Sequence, residues 1–398
     1  MRTFWEAEPL VWARTEGSHV WDAEGRRYLD LYAGFAVANV GYCHPRVTEA
    51  IRHQAGVMTH CPSAAASELR AELEERLIAI APPPLVRVLP SVTGAMANET
   101  AVQLARAATG RNNVVTFGGT YPGRTVGAVR YAGKRAYREQ LGIAAEAHFV
   151  PYPDPHRSAW AGDRDPAEAA LGLLEYALTD PASGVEPPAC VLVEPIQGNG
   201  GVVVPPAGFL RGLRELCDRT GTLLVCDEIQ CGFGRSGRMW ASEHDGVVPD
   251  LMTVGKGIGG GLAIAALLGR EELMTTWEPD AVTSTFLANA LNAAAACAAI
   301  DVLREERLPE RSARLGTQAL ARLQDQLTRV DDVRGRGLFL GIELADAEAA
   351  RQGQRALLER GVLVGRGGRL GNVIILAPPL VIEEDDLAGG LDTIAEAL

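Results

Sequence analysis

An α/β architecture built on a mainly parallel sheet is what the sequence predicts, on three observations. Short, continuous apolar runs alternate with longer amphipathic stretches from about residue 85 to residue 300. The runs are apolar throughout instead of alternating with polar residues, as expected of strands covered on both faces. Hydrophobic residues make up 47% of 398 residues, enough to fill a large core.

The elements follow in order. The first forty residues lack this rhythm. Strands are expected at 86–89, 114–117, 190–193, 223–226, 251–254 and 265–267, with helices such as 95–109 and 208–220 between them. The alanine-rich stretch 288–303 reads as a connecting helix. Beyond residue 305 the pattern changes, with a hairpin expected from 330–333 and 338–343 around Gly335 and Gly337, then helix, short strands and a final helix. These shifts predict a large domain over 46–304 and a smaller α+β domain assembled from 1–45 and 305–398.

A formal charge of −12 argues against a dedicated binder of nucleic acid or anionic membranes, because such surfaces need excess basic charge. The opening segment Met1-Arg-Thr-Phe-Trp-Glu-Ala-Glu-Pro9 has acids and no apolar run, so no secretory signal is expected, and residues 288–300 are too few to span a bilayer. The seven cysteines are scattered and form no Cys-x-x-Cys pair. They fit reduced thiols in a cytoplasmic protein, with no metal site expected.

Only two of the 38 basic residues are lysines, Lys134 and Lys256. Arginine supplies charge elsewhere, so a retained lysine is a candidate for work that needs a deprotonable primary amine. Lys256 stands in Thr253-Val-Gly-Lys-Gly-Ile-Gly-Gly-Gly-Leu262, directly after an apolar run. Ligands of open α/β sheets bind at the carboxyl ends of strands, and flanking glycines let a planar group approach the backbone. The upstream glycine that a Walker-type phosphate loop places before its lysine, and the Ser or Thr that follows it, are missing. Lys134, in Tyr131-Ala-Gly-Lys-Arg-Ala-Tyr137, has another basic residue beside it and no cofactor-like surroundings.

Asp227 closes the run Leu223-Leu-Val-Cys-Asp-Glu-Ile-Gln230, which delivers a carboxylate to the same edge. A buried carboxylate needs a partner, and a protonated ring nitrogen is one. Ile229 and Gln230 are then placed to touch a ring face and a ring hydroxyl. In Ser91-Val-Thr-Gly-Ala-Met-Ala-Asn-Glu99 a strand leads into a helix start, where the backbone N–H groups of Gly94 and Ala95 suit a phosphate. Thr283-Ser-Thr-Phe286 adds hydroxyl donors. Tyr121 offers a stacking face and Arg124 a carboxylate-binding fork.

This ordered set resembles the class III (ω) aminotransferases, pyridoxal-phosphate enzymes of fold type I that include acetylornithine, ornithine and 4-aminobutyrate aminotransferases. The resemblance runs from Val20-Trp-Asp-Ala-Glu-Gly-Arg-Arg-Tyr-Leu-Asp30 and Gly41-Tyr-Cys-His-Pro45 through Glu194-Pro-Ile-Gln-Gly198 to Arg334-Gly-Arg-Gly-Leu338 and Ala377-Pro-Pro-Leu380. It implies pyridoxal 5'-phosphate bonded to Lys256, with Asp227 at the pyridine nitrogen, Gln230 at the phenolic oxygen, and Tyr121 and Ile229 on opposite ring faces. It implies that Gly94 and Ala95 hold the phosphate together with Thr285 of a second copy, hence a homodimer with shared sites. It also puts Glu194 in the cofactor set, and Arg124 and Phe35 at the substrate. The implied reaction is ping-pong transfer of an amino group between a primary amine or amino acid and a keto acid or aldehyde. A racemase or aminomutase of the same fold is the alternative.

The sequence departs from the family in places. Many members carry an Arg two residues before the Ala/Val-Pro-Pro stretch, paired with a Glu in Glu-Pro-x-Gln-Gly-Glu-Gly; here the positions hold Ile375 and Asn199. Losing one partner of such a buried pair costs about 3 to 5 kcal/mol, so their joint absence is coherent. The expectation is a poor response to 2-oxoglutarate and a preference for pyruvate or an unusual amine, with Arg366 or Arg369 as candidate substitutes for the lost arginine. Tyr-His-Gly-Arg becomes Tyr121-Pro122-Gly123-Arg124, and Gly-Leu-Pro-Ile-Gly becomes Gly261-Leu-Ala-Ile-Ala265.

Overall fold

The computed structural model describes residues 10–278 and 281–398, so the opening segment read above for a leader lies outside the described residues. Seven strands form the central sheet, in the order Leu85–Ser91, Ala265–Arg270, Leu251–Val254, Leu223–Asp227, Pro188–Val193, Asn113–Phe117 and His148–Val150. The last five run parallel. Ala265–Arg270 is antiparallel to both neighbours, which returns Leu85–Ser91 to the common direction.

All six apolar runs are strands of this sheet. His148–Val150 was not anticipated, since three residues at an edge leave too short a pattern to detect. Pro188–Val193 and Leu251–Val254 are buried along their whole length, which explains their unbroken hydrophobicity.

The helices begin and end on local chemistry. Thr93 caps Gly94–Thr109 by accepting from Met96 N at 3.2 Å, and Gly110 ends it in the left-handed region at φ 67°. Its buried face carries Ala97, Ala101 and Ala105, small enough to bring the helix close to the sheet. Phe209–Thr220 buries Leu210, Leu213 and Leu216 at helical spacing. Ala290–Glu305, the expected connector, is capped by Asn289 and buries Ala293, Ile300 and Leu303.

Two four-stranded sheets hold the chain's other segments. In one, Trp12–Glu16, His19–Asp22 and Arg27–Asp30 form a meander, and Val362–Leu363 pairs parallel with Arg27–Asp30. In the other, the expected hairpin appears as Asp332–Gly335 and Leu340–Glu343, extended by Val373–Leu376 and Gly365–Gly367. Gly337 turns at φ 59° and lies so close to the helix Leu308–Gln326 that a Cβ on Gly316 would come within 2.0 Å of Gly337 O.

The sheet's carboxyl edge positions the site. Asp227 ends one of four adjacent parallel strands, Lys256, Glu194 and the Gly118–Tyr121 turn follow the ends of the other three, and Gly94 follows Leu85–Ser91 at the same edge.

Trp240 is fully buried in the largest core cluster, and its Nε1 donates to Ile80 O at 2.7 Å. Trp240→Ala should lower the unfolding free energy by about 3 to 5 kcal/mol. Trp240→Phe, which keeps most of the volume, should cost clearly less. Denaturant unfolding of both variants against the parent checks this.

Candidate active site

Asp227 is the last residue of its strand, and its side chain is buried. Asn98 Nδ2 donates to Oδ2 at 2.7 Å and Ile229 N donates to Oδ1 at 3.0 Å. Burial pushes the carboxyl up to about 6, against these hydrogen bonds and the charge of Lys256, which pull it down. Asn98 is itself fixed, donating to Pro122 O at 2.9 Å and accepting from Thr253 Oγ1 at 2.8 Å. One buried amide therefore ties together the helix start, the Tyr121 loop and two strands.

Lys256 opens the short 3-10 turn Lys256–Gly259 in the left-handed region, at φ 47°. A side chain other than glycine adopts that backbone at a cost that surrounding structure has to offset. Here Asn39 leaves no room for a Cβ on Gly257, with Nδ2 2.5 Å from where it would stand, so the next residue has to be glycine-sized. Asn39 is held in turn by Phe233 O at 2.9 Å and by the fully buried Arg235 at 2.7 Å. Burial lowers the pKa of the Lys256 amine, and the carboxylates of Asp227 and Glu194 offset part of that effect. Its Nζ has no hydrogen-bond partner among the described residues.

Glu194 accepts from Tyr121 N and Gly198 N, both at 2.9 Å. Burial pushes it up to about 7, and Asp227 adds to the rise. Ile229 packs against Gly94, where a Cβ would stand 2.7 Å from its Cδ1, and beside Gly255. Gln230 lies against Gly198 and beside Tyr32, a residue not anticipated from sequence. The rings of Tyr121 and Tyr137 meet edge to face at 5.5 Å.

The other expected residues lie further out. Arg124 is exposed; its guanidinium lies 3.7 Å from the centre of the Tyr137 ring and has no carboxylate within ion-pair distance among the described residues. Phe35, 69% exposed and at φ 70°, lies 5.2 Å from the ring of Tyr32. Thr285 sits on an exposed loop whose neighbours Thr283 and Phe286 contact Ser63 and His60. Among the described residues nothing joins Thr285 to the Gly94 turn within one chain.

Two readings from sequence change. Arg366 pairs with Ile374 across the small sheet and is exposed, while Ile375 is buried and pairs with Gly365, so Arg366 projects from the opposite face and does not replace the missing arginine. Lys134 is half-buried and donates to Gly368 O at 2.5 Å, in firmer surroundings than its neighbours in sequence suggest. Asn98 was also missed as a site residue. It stood inside the quoted segment, and a lone amide on a helix face otherwise lined by Ala97, Ala101 and Ala105 is the signal that marked it.

These residues suit pyridoxal phosphate. A buried carboxylate bonded only to neutral donors calls for a cation, the amine opposite it is unpartnered, and the Gly94 turn leaves backbone N–H groups at a helix start. Among the described residues no group of three or more His, Cys, Asp or Glu side chains is arranged to hold a metal ion.

The fold and this edge define a pyridoxal-phosphate enzyme of fold type I. Residues 5–398 match the family model "Aminotransferase class-III", and the chain belongs to that family. It is a pyridoxal-phosphate-dependent aminotransferase. It is 41% identical to acetylornithine aminotransferase from Methanopyrus kandleri, over 98% of this chain and 94% of that protein. It is 34% identical to a leucine/methionine racemase from Thermococcus litoralis, over 98% of this chain and 88% of that one. An amine transaminase from an uncultivated Pseudomonas species, solved with the cofactor bound, superimposes with a TM-score of 0.91 at 30% identity and covers 100% of this chain and 98% of that chain.

The raised carboxyls set a pH dependence. Asp227, Glu194 and Glu228 bind protons more tightly folded than unfolded, the last two pushed up to about 7 and Asp227 to about 6. Their contribution to stability is full below about pH 4 and is lost as the pH rises through about 6 to 7. Lys256, shifted down, acts in the opposite sense at alkaline pH. Cofactor-free protein should therefore lose stability from pH 4.5 to 7.5 on account of these groups, and Asp227→Asn should make the fall shallower, as read by denaturant unfolding across about that pH range.

Proposed function

We propose that the chain transfers the amino group of a primary amine or amino acid to a keto acid or aldehyde by a ping-pong route, with Lys256 as the proton-moving base. The single observation that carries this assignment of roles is that Lys256 and the buried carboxylate of Asp227 stand at the carboxyl ends of adjacent strands. Gly94 and Ala95 would hold the cofactor's phosphate through backbone N–H groups, Asp227 its ring nitrogen and Gln230 its phenolic oxygen. Tyr121 and Ile229 would cover its two faces, and Glu194 anchors the Tyr121 turn beside it. Bound pyridoxal phosphate supplies the aldehyde that takes up the amino group and a protonated ring that draws electrons from the bond being broken.

The chain's own residues do the rest. Burial keeps the Lys256 amine ready to lose its proton, so it can take one from the substrate carbon and return it. The Asp227 carboxylate, dry and short of a cation, holds a proton on the group facing it. Arg124 and Phe35 face the substrate, the first toward a carboxylate.

The acceptor reading rests on Ile375 and Asn199. Ile375 lies in an apolar cluster with Ile196, Val202 and Phe339, and Asn199 Oδ1 accepts from Tyr137 OH at 2.7 Å. A charged pair has been exchanged for an apolar contact and a neutral hydrogen bond, which supports pyruvate over 2-oxoglutarate.

We also read 1–45 with 305–398 as one domain and 46–304 as the other, supported by the pairing of Val362–Leu363 with Arg27–Asp30. The exposed 283–286 loop supports a homodimer in which Thr285 completes the partner's phosphate site. Seven free cysteines support a cytoplasmic setting, and among the described residues no helix is long and apolar enough to cross a membrane.

Lys256→Ala should cut transamination at least about 1000-fold while leaving the fold intact, and Lys134→Ala should not. Initial-rate kinetics with alanine as donor reads this. Ile375→Arg alone should destabilise the chain by about 3 to 5 kcal/mol, while Ile375→Arg with Asn199→Glu should recover stability and raise the rate with 2-oxoglutarate relative to pyruvate. A parent enzyme that already prefers 2-oxoglutarate would contradict the acceptor reading.

A further inference from the structure

Tyr32 reaches the candidate active site from the small sheets and has no part in the roles assigned above. Its backbone is pinned by the buried carboxylate of Asp30, which accepts from Tyr32 N at 2.7 Å, Ala33 N at 3.1 Å, Gly34 N at 3.2 Å and Tyr42 OH at 2.7 Å. With the chain fixed there, the ring lies over Gly365, a residue of the other small sheet. A Cβ on Gly365 would stand 2.4 Å from both Cε2 and Cζ of Tyr32, so the ring fills the space that any larger residue at 365 would need.

Gly365 pairs with Ile375 across the strands and Gly367 with Val373, so Gly365, Ile375 and Gly367 share one face of the sheet. The second glycine is as crowded as the first: a Cβ there would meet Ile375 Cδ1 at 2.7 Å and Asn199 O at 3.1 Å. Tyr32 thus closes on one side of Ile375 and the Asn199 turn on the other, and Tyr32 packs against the apolar cluster that holds Ile375, Ile196 and Phe339. The Phe35 ring lies 5.2 Å away, and Gln230, Tyr121 and Tyr137 lie near the Tyr32 hydroxyl. Burial first, then the charge of Asp30, pushes that hydroxyl up to about 12, which keeps it a neutral phenol at neutral pH. Tyr32 is therefore a half-buried, uncharged ring among three residues that the proposed function assigns to cofactor or substrate, Gln230, Tyr121 and Phe35.

We propose that Tyr32 is a specificity-determining residue: its ring, seated on Gly365 beside Ile375, bounds the side chain of the amino acceptor, so that the preferred acceptors are 2-oxo acids with a short, uncharged side chain. The inference rests on the reading that the Lys256 edge is the active site of an aminotransferase, and it deepens the acceptor preference drawn from Ile375 and Asn199. Bulk, and not only a missing charge, excludes the longer acid. Tyr32 acts on which oxo acid fits and leaves proton transfer to Lys256.

Single-turnover kinetics reads the acceptor alone. Enzyme loaded with pyridoxamine phosphate is mixed with pyruvate, 2-oxobutyrate, 2-oxopentanoate or 2-oxohexanoate, a series whose side chains are all uncharged and differ only in length; the oxo acid takes up the amino group and the return of the pyridoxal absorbance is followed. The parent's rate should fall along the series. Tyr32→Ala, and the milder Tyr32→Leu, should raise the rate with 2-oxohexanoate relative to pyruvate about tenfold, while Tyr32→Phe, which keeps the ring, should retain the parent's order. Thermal unfolding of the cofactor-free protein reads the packing separately: Gly365→Ala should lower the melting temperature of the parent and hardly change that of Tyr32→Ala, because the ring it collides with is gone. A parent that takes all four acids equally well, or a folded Tyr32→Leu variant with the parent's length profile, overturns the proposal and leaves the transferase roles standing. Additive effects of Gly365→Ala and Tyr32→Ala on melting would also overturn it, since the ring would then not be seated on Gly365. A parent that reacts with no oxo acid overturns the transferase roles and the proposal with them.

Discussion

A carboxylate removed from water has to find a positive charge or several hydrogen bonds, and the site is organised around that requirement at Asp227. The strand Leu223–Asp227 delivers it to the sheet's carboxyl edge, where burial raises its pKa and only Asn98 and Ile229 N compensate. Both donors are neutral. The carboxylate is therefore under-satisfied toward a cation, and the protonated ring of pyridoxal phosphate is the kind of partner that completes it. Removing Asn98 from this arrangement would free the Pro122 loop and Thr253 as well, so the same amide that orients Asp227 also sets the spacing of the elements around the ring.

Lys256 obeys a related constraint. An amine in a dry site loses its proton more easily, and a left-handed backbone at its α-carbon fixes which way the side chain leaves the strand. That conformation persists because Asn39, held by the buried Arg235, fills the space beside Gly257. Lys256 is thus held in place by a network of Asn39, Phe233 O and the buried Arg235.

Much of this was legible in the sequence because it depended on local pattern. Six continuous apolar runs identified six of seven central strands, and the residues just past their ends named Lys256, Asp227 and Gly94 as candidates. The edge strand His148–Val150 was too short to register. Contacts between distant segments were not legible either: the approach of Tyr32 to Gln230, that of Lys134 to Arg124 and the orientation of Arg366 depend on how the small sheets and loops settle against the large one. A period of two separates Arg366 from Ile375 only once the pairing of their strands is known. Rarity singled out both lysines, but neighbouring residues in sequence gave no sign that Lys134 would be drawn in beside a second cation.

The roles proposed above require that Lys256, and not Lys134, bonds the cofactor. Borohydride reduction of the cofactor-loaded protein, followed by digestion and mass mapping, tests it directly. The account predicts a phosphopyridoxyl group on the peptide containing Lys256 and none on Lys134; label on Lys134, or on neither lysine, would contradict it.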